Sequence, residues 1–394
     1  MIDKLKYWHV ERFLNKTGDG FCLDKWNSST LHLATGMEHG CHHPDPVKIN
    51  ADELTTPDKL FNHSHKLEVR DQMLNGLRPK ECAYCWKSNT TQDRVIHSSK
   101  QYNWRNRNIN GTYSIPKYLE VSFSNACNLG CAYCGPSFSS IWQQEIEQQG
   151  AYPDGHLQHY VKPIPNNQHN PYIEAFWKIW PVLKTELEHL RITGGEPLMS
   201  KHTYNVLEQA KDISITVNTN LSVSDDLLEK FCDSAKNIQN LTISVSGEST
   251  GARAEYARHG LDYNKFLYNL QVIQNCLPTA RLQIMSTYNC LCVTTFKDFL
   301  QDVKHCIPNV MLSVNRLQSP DFFDHRLLDQ DLKYDALDYI KHNFNKEAYV
   351  RFNNIINDDP LKDTKNIKLK LKKFAQTFDL RRNTNFVQTF PELQ

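Results

Sequence analysis

At 394 residues the chain is long enough for two or three domains, or for one large barrel with an appendage. Its formal net charge of +1 produces no long-range field that would recruit nucleic acid or an anionic membrane. Hydrophobic residues make up 40% of the chain and charged residues 23%, which is typical of a folded globular protein and excludes a disordered one.

The sequence has no run of about 18 apolar residues that could span a membrane. Its N-terminal segment, MIDKLKYWHVERF, lacks the apolar core of a signal peptide. We therefore expect a cytoplasmic protein, with neither a membrane nor a nucleic acid among its partners. The cytoplasm keeps thiols reduced, so the 12 cysteines predict metal or redox chemistry rather than disulfides.

The first part of the chain, residues 1–115, predicts a loop-rich domain. Residues 29–36 have the pattern of a strand that runs into a turn, and a return strand would bring Cys41 back towards Cys22. Residues 58–77 predict an amphipathic helix. The domain carries four cysteines, which are Cys22, Cys41, Cys82 and Cys85. Four cysteines with one C-x2-C pair suit a structural zinc site as well as an iron–sulfur cluster.

From residue 117 onwards, strand patterns alternate with helix patterns. The six strand candidates are residues 118–123, 189–193, 213–218, 241–245, 282–287 and 310–314. The helix candidates are residues 138–148, 176–187, 225–234, 263–276 and 295–306, with an inserted loop at 150–172. The alternation predicts βαβ units and a parallel sheet, and six units are too few for a closed eight-stranded barrel. We expect an α/β fold with a partial (β/α)6 TIM-like barrel over residues 116–320.

The last part of the chain, residues 321–394, predicts a helical C-terminal cap. It is polar and rich in lysine, and it contains the run Lys368-Leu-Lys-Leu-Lys-Lys373. A run of this kind is typical of a solvated helix face, and a surface that binds polyanions is the alternative.

Three cysteines follow the first strand candidate in a C-x3-C-x2-C spacing, at Cys127, Cys131 and Cys134. Three thiolates at this spacing can hold three irons of a [4Fe–4S] cluster and leave the fourth iron without a protein ligand. An open position of this kind is what a catalytic metal site keeps. Structural zinc is the alternative, but the spacing is not that of paired C-x2-C zinc ligands, and no fourth Cys or His lies nearby.

With the aromatic Tyr133 before its last cysteine, the segment resembles the C-x3-C-x-φ-C hallmark of the radical S-adenosylmethionine (SAM) enzymes. The resemblance implies that the three cysteines bind a [4Fe–4S] cluster and that SAM chelates the open iron. Reductive cleavage of SAM would give methionine and a 5′-deoxyadenosyl radical, which abstracts hydrogen from a substrate. An external electron donor of the flavodoxin or ferredoxin type is implied as well.

Polar segments at the ends of later strands extend this resemblance, because parallel α/β barrels carry their chemistry there. The Gly194-Gly-Glu-Pro197 segment is similar to the family's GGEP motif, which contacts the methionine amino group, and Glu196 could accept from an ammonium. Ser244-Val-Ser-Gly247 resembles an S-x-D-G stretch with Ser246 in place of the Asp. Arg258 matches an arginine that could pair with the SAM carboxylate, and Arg253 is the alternative. The residues that the resemblance assigns to SAM binding are Tyr133, Gly194, Gly195, Glu196, Pro197, Asn218, Thr219, Asn220, Ser244, Ser246 and Arg258.

The N-terminal cysteines also resemble a family pattern. Cys22 and Cys41 bracket Gly36 as C-x13-G-x4-C, and Cys82 and Cys85 complete four ligands. SPASM and twitch domains, which bind auxiliary Fe–S clusters in radical SAM enzymes, have a similar pattern. Those domains usually follow the barrel, whereas here the pattern precedes it. The resemblance implies one fully ligated auxiliary cluster, with zinc as the alternative.

The substrate implied by the SPASM or twitch pattern is a peptide or protein side chain, since such enzymes often modify peptides. A small molecule, such as a nucleoside, sugar or amino-acid derivative, is the alternative within the family. A cluster-binding or zinc-binding structural or regulatory protein is the alternative outside enzymes. The sequence assigns no catalytic acid, base or hydrogen donor.

Overall fold

The computed structural model describes residues 4–41, 44–86, 94–95, 98, 111–153 and 156–394. The chain divides into two compact units. The first comprises Met1–Ser124, Pro163–Gly194 and Ile213–Ile215, and the second comprises Asn125–Lys162, Gly195–Asp212 and Thr216–Gln394. The domain bounds expected from the sequence, at residues 115 and 320, stay a prediction. Within the described residues, no helix combines the length and apolar character needed to cross a membrane.

The described elements are helical for the most part, with eleven strands between them. The α-helices are α1 Lys4–Thr17, α2 Asp24–Asn27, α3 Ser64–Leu74, α4 Ser140–Gln149, α5 Pro171–Glu186, α6 Lys201–Gln209, α7 Asp225–Ala235, α8 Gly251–Ala257, α9 Tyr263–Cys276, α10 Phe296–Cys306, α11 Asp331–Asn343, α12 Lys346–Ile356, α13 Thr364–Arg382 and α14 Phe386–Thr389. The strands are β1 Ser28–His32, β2 Met37–His39, β3 Val47–Lys48, β4 Tyr118–Ser122, β5 Gly130–Cys131, β6 His189–Thr193, β7 Ser214–Thr219, β8 Leu241–Ser246, β9 Arg258–His259, β10 Arg281–Tyr288 and β11 Met311–Arg316. Short 3-10 helices lie at Ala51–Glu53, Pro57–Leu60, Lys80–Trp86, Pro197–Met199, Asp321–Phe323, His325–Leu327 and Pro391–Leu393.

In the first unit, β4 pairs in parallel with β6 on one side and with β1 on the other. The strands β2 and β3 extend this sheet from β1 in antiparallel fashion. Leu31 of β1 lies opposite Val121 of β4, and both side chains are fully buried, as is usual for strands covered on both faces. The hairpin predicted between the first two cysteines therefore joins the sheet of the first barrel strand.

In the second unit, β8, β10 and β11 pair in parallel, and β7 lies next to β8 in the strand order. Every second residue of β10 is buried, from Leu282 to Tyr288, which follows the two-residue period of a strand. The helix α10 buries Phe296, Phe299 and Val303 on one face, at the spacing of an amphipathic helix.

The predicted fold class is confirmed, because each of the six strand candidates forms a strand, β4 pairs in parallel with β6, and β10 pairs in parallel with β8 and β11. Parallel strands alternating with helices are consistent with a partial barrel. The predicted helical character of residues 321–394 is confirmed as well, by α11 to α14.

Two predicted element boundaries are wrong. The helix expected over residues 58–77 is a 3-10 turn at Pro57–Leu60 followed by α3. Its continuity breaks at Asn62, whose side chain bonds to the backbone of Ser114 and accepts from Arg70. The helix expected to start at residue 176 begins at Pro171, because Asn170 caps it and proline suits the first helical position.

Candidate cluster and cofactor site

The loop that carries the three cysteines of the second unit is fixed on several sides. Its short strand β5 pairs antiparallel with β9, which places Cys131 opposite Arg258. The Trp142 indole Nε1 donates to the Cys131 carbonyl at 2.8 Å. The backbone N–H of Cys127 donates to the Ser140 hydroxyl at 3.1 Å. Helix α4 and strand β9 therefore hold the loop in place.

The three thiols of this loop lie within electrostatic range of one another. Burial, together with a charge on Cys131, raises the pKa of Cys127 to about 12 and that of Cys134 to about 12. The backbone N–H of Leu129 points at the Cys127 sulfur at 3.5 Å and favours its thiolate. Buried thiols of this kind become thiolates when they bind metal and release their protons. The donor set therefore suits a metal cluster.

Among the described residues, no group of three or more His, Cys, Asp or Glu side chains is placed to hold a metal ion, either at this loop or at the N-terminal cysteines. In an iron–sulfur cluster, each thiolate ligand binds an iron of its own.

The two glycines of the Gly-Gly-Glu-Pro segment are dictated by packing. A Cβ on Gly195 would lie 2.2 Å from the carbonyl oxygen of Ala126, the residue before Cys127. Gly194 has a φ of +133°, and a Cβ there would lie 2.8 Å from the Ser124 carbonyl oxygen. The Glu196 N–H then donates to the Ala126 carbonyl at 2.7 Å. Glycine is thus required where Gly195 packs against Ala126 and where Gly194 packs against Ser124.

The Glu196 carboxylate is directed to the end of β7. It accepts hydrogen bonds from the Thr219 hydroxyl at 2.7 Å, from the Asn220 N–H at 2.7 Å and from the Leu198 N–H at 3.0 Å. The side chain is 2% exposed, and burial raises the pKa of Glu196 to about 7. Three protein donors already bond to this carboxylate. A ligand ammonium would have to compete with them for the Glu196 oxygens.

The polar side chains at the end of β7 contact two different parts of the protein. The Asn220 side chain donates to the Asn128 side chain at 3.0 Å and lies 3.9 Å from the Cys127 sulfur. The Asn218 side chain instead points to the Met285 sulfur on β10, at 3.4 Å. Ser246 at the end of β8 pairs in register with the same Met285. Asn220 is thus brought to the cysteine loop, and Asn218 and Ser246 are brought to β10.

One acidic residue that sequence reasoning missed lies at the centre of a buried cluster. Glu248, which is 1% exposed, accepts from Arg258 through Nε at 3.0 Å and through Nη2 at 2.5 Å. The Tyr133 hydroxyl donates to the same carboxylate. Burial alone would lower the pKa of Arg258, but Glu248 raises it well above the ordinary value, so the guanidinium stays charged. Its position in the sequence could have indicated a role in the site. Glu248 lies two residues after Ser246, which ends a strand, and polar contacts are expected at such strand ends.

The alternative arginine has a different environment. Arg253 pairs with Glu392 near the C-terminus and donates to the Thr294 hydroxyl at 2.6 Å. Arg258, by contrast, lies opposite Cys131 in the β5–β9 register. The geometry therefore favours Arg258 over Arg253 as the arginine of the cysteine site.

The four N-terminal cysteines meet in one neighbourhood of the first unit. Burial raises the pKa of Cys22 well above its ordinary value, and charges on Asp24, Cys41, Cys82 and Cys85 raise it further. Cys22 and Cys82 also pack against a core built from α1, α2 and α3. The buried Lys25 lies within electrostatic range of Cys82 and Cys41 and forms an ion pair with Glu81. The predicted convergence of the four thiols is therefore compatible with the structure.

Residues 121–304 match the family model of the Radical SAM superfamily. The chain is 31% identical to the GTP 3′,8-cyclase of Desulforamulus reducens over 119 residues, which is 29% of this chain and 28% of the relative. It is 24% identical to the GTP 3′,8-cyclase of Aliarcobacter butzleri over 171 residues, which is 41% of this chain and 46% of the relative. The chain thus spans less than half the length of these curated relatives.

Solved structures similar to the chain include SuiB of Streptococcus suis bound to its precursor peptide SuiA. That similarity covers 58% of this chain and 48% of SuiB, with 15% identity and a TM-score of 0.41. SuiB bound to S-adenosylmethionine matches over 76% of this chain and 65% of SuiB, with 14% identity and a TM-score of 0.41. These scores are too low to assign a function. The family match and the cysteine loop together identify residues 121–304 as a radical SAM domain.

Proposed function

We propose that the chain is a radical SAM enzyme that binds a [4Fe–4S] cluster through Cys127, Cys131 and Cys134 and cleaves SAM reductively. The observation that carries this proposal is the position of Asn220. Its backbone N–H is held by Glu196 of the Gly-Gly-Glu-Pro segment, and its side chain contacts Asn128 beside Cys127. Three separate motifs of the family pattern therefore converge through one residue.

The protein's contribution to this chemistry is to bind and to position. When bound, the cluster would supply an electron for the reductive cleavage of SAM to methionine and a 5′-deoxyadenosyl radical. The three cysteines release their protons and hold the cluster as thiolates. Glu196 orients the end of β7, and the ion pair between Glu248 and Arg258 fixes β9 against Cys131. These contacts fix the position of the cysteine loop relative to β7 and β9.

We further propose an auxiliary Fe–S cluster on Cys22, Cys41, Cys82 and Cys85, in an N-terminal domain of the SPASM or twitch type. The electrostatic coupling of Cys22 to all three of the others supports one shared site. Structural zinc is the competing occupant of the same four thiols. The two occupants differ in iron content and in redox activity, which makes the choice measurable.

A peptide or protein side chain is the proposed substrate, because the N-terminal cysteine pattern resembles that of peptide-modifying enzymes. A small molecule is the second candidate. It is favoured by the curated relatives, which are named GTP 3′,8-cyclases and match part of the radical SAM domain. Either reaction requires an external one-electron donor of the flavodoxin or ferredoxin type, and we place the enzyme in the cytoplasm.

The proposal is tested by anaerobic purification followed by incubation with SAM and dithionite. The expected result is release of 5′-deoxyadenosine and methionine in equal amounts. Metal analysis should find about eight irons and about eight sulfides per chain, as expected for two [4Fe–4S] clusters. About four irons with one zinc would overturn the auxiliary cluster and keep the SAM cluster. Absence of 5′-deoxyadenosine from protein that contains iron and sulfide would overturn the proposed activity.

A further inference from the structure

The C-terminal helices carry a groove that the SAM chemistry does not use. It has a volume of about 650 Å³ and lies between the first four turns of α13, the helix α14 and the last residues of the chain. Its lining includes Leu369, Val387 and Leu393. Leu369 is 51% exposed and Val387 is 57% exposed, so the lining presents apolar surface to solvent. An exposed apolar surface with a polar rim is typical of an interaction site.

The rim of this groove carries three lysines and two aspartates, Asp363 and Asp379, and so has a small positive charge. Lys365, Lys368 and Lys372 line it and are exposed, and no described residue forms a salt bridge with any of them. Elsewhere on helix α13, Lys370 pairs with Asp321, and Arg381 and Arg382 pair with Glu145, so the three groove lysines are the cations left for a partner at this rim. A partner that fits this groove therefore carries acidic residues around an apolar patch.

The same helix connects the groove to the cysteine loop. Asp379 lines the groove, and Arg382 follows three residues later, which is about 4.5 Å further along the helix axis. The Arg382 guanidinium donates to the carbonyl of Gly130, next to Cys131. It also lies 4.2 Å from the centre of the Trp142 ring, and the Trp142 indole bonds to the Cys131 carbonyl. Helix α13 thus lines the groove and, three residues beyond it, contacts the backbone next to Cys131.

We propose that this groove is the docking site of the electron donor, a small acidic one-electron carrier protein. The inference rests on the proposed function, because only reductive cleavage of SAM requires an electron from outside. Helix α13 connects the groove to the cluster loop, and none of the described residues that line the groove comes from a strand end, where a substrate would meet the radical. A carrier docked there would face the back of the loop that holds the cluster.

The experiment compares two sources of electrons. The double variant Lys368→Glu/Lys372→Glu is matched with Lys341→Glu/Lys346→Glu, which makes the same charge change on exposed positions of α11 and α12. Cluster bleaching after mixing and 5′-deoxyadenosine formation are measured with reduced flavodoxin, with reduced ferredoxin and with dithionite. The groove variant should lose about tenfold in the carrier-driven rates at low ionic strength, since steering of this size is common between charged partners. The loss should shrink as salt is added.

Each outcome of this experiment decides a specific point. Unchanged dithionite-driven rates, together with a carrier-specific loss in the groove variant alone, support the docking site. Equal carrier-driven rates in both double variants overturn it, as does failure of both carriers to drive wild-type turnover that dithionite supports. Loss of dithionite-driven turnover of an acidic peptide in the groove variant would make the groove a substrate site instead. If dithionite yields no 5′-deoxyadenosine from the wild-type protein, the proposed function fails and the docking site fails with it.

Discussion

The carboxylate of Glu248 holds the guanidinium of Arg258 through two hydrogen bonds, at 3.0 Å and 2.5 Å, in a site where both side chains are buried. The Tyr133 hydroxyl donates to the same carboxylate, so the aromatic residue of the cysteine motif is tied to the pair. Arg258 lies opposite Cys131 in the β5–β9 register. The hydrogen-bonded group of Glu248, Arg258 and Tyr133 therefore supports the cysteine loop of the proposed SAM site.

Replacement Glu248→Gln should therefore be costly. It leaves the Arg258 charge buried without its counter-ion, which typically costs about 3–5 kcal/mol. We expect the free energy of unfolding, measured by urea titration of the anaerobic protein, to fall by an amount in that range. Arg253→Gln is the matched control, because its pair with Glu392 is partly exposed and should contribute about 1 kcal/mol or less. Equal losses in the two variants would show that the buried pair has no special role.

Replacement Gly195→Ala should displace the cysteine loop. The new methyl group would lie 2.2 Å from the backbone oxygen of Ala126, which cannot move without moving the segment before Cys127. We expect iron bound at the SAM cluster to fall severalfold. Gly150→Ala is the control, because Gly150 has a φ of +78° but open space around its Cα. The control should cost about 1–3 kcal/mol of stability through backbone strain, because Gly150 combines its positive φ with a ψ of 178°, and it should leave iron binding intact. Normal iron content in Gly195→Ala would contradict this prediction.

The free energy of unfolding should depend on pH through the ionisation of Glu196. Burial raises its pKa in the folded protein to about 7, above the value of about 4.3 for an unfolded chain. The folded state therefore binds the proton more tightly, and this contribution to stability is lost as pH rises through about 7. Urea unfolding of wild type and Glu196→Gln between about pH 5 and pH 8 tests this. The wild-type protein should lose stability more steeply with rising pH than the variant, and parallel curves would refute the shift.

The buried Lys25 should tune an auxiliary Fe–S cluster. Its ammonium lies within electrostatic range of Cys82 and Cys41, and a nearby cation favours the reduced, more negative state of a cluster. Lys25→Met should therefore lower the midpoint potential of the auxiliary cluster in an EPR-monitored redox titration. Lys16→Met, which removes an exposed cation of α1, should leave it unchanged. A site that holds zinc would give no second reducible signal in either protein.

The features that the sequence predicted are those with a local pattern. The three cysteines of the SAM motif lie within eight residues, and strands such as β6 and β10 follow the alternation of strand and helix signals. The convergence of Cys22 with distant cysteines was predicted from a family pattern, and the electrostatic coupling is compatible with it. Local chemistry was therefore enough to place the motifs on the correct elements.

The features that were missed depend on contacts between distant residues. In the sequence, Glu248 cannot be told from an acidic residue on the surface. Only the fold, which places Arg258 of β9 beside it, shows that it is buried in an ion pair. The helix expected from residue 58 onwards breaks because Asn62 bonds to Ser114, 52 residues later in the chain. The pairing of β1 with β4 likewise joins segments that no local pattern relates. Tertiary hydrogen bonds and sheet register decide these points, and neither leaves a periodic signal in the sequence.

The central claim is that Cys127, Cys131 and Cys134 bind a [4Fe–4S] cluster at which SAM is cleaved reductively. The most direct test measures 5′-deoxyadenosine released with SAM and dithionite by wild type, Cys131→Ala and Cys276→Ala. Cys276 is an exposed thiol outside both proposed clusters, so its variant controls for the loss of any cysteine. We predict that wild type and Cys276→Ala release 5′-deoxyadenosine and that Cys131→Ala releases none. Release by Cys131→Ala at the wild-type rate would contradict the assignment of the cysteine loop.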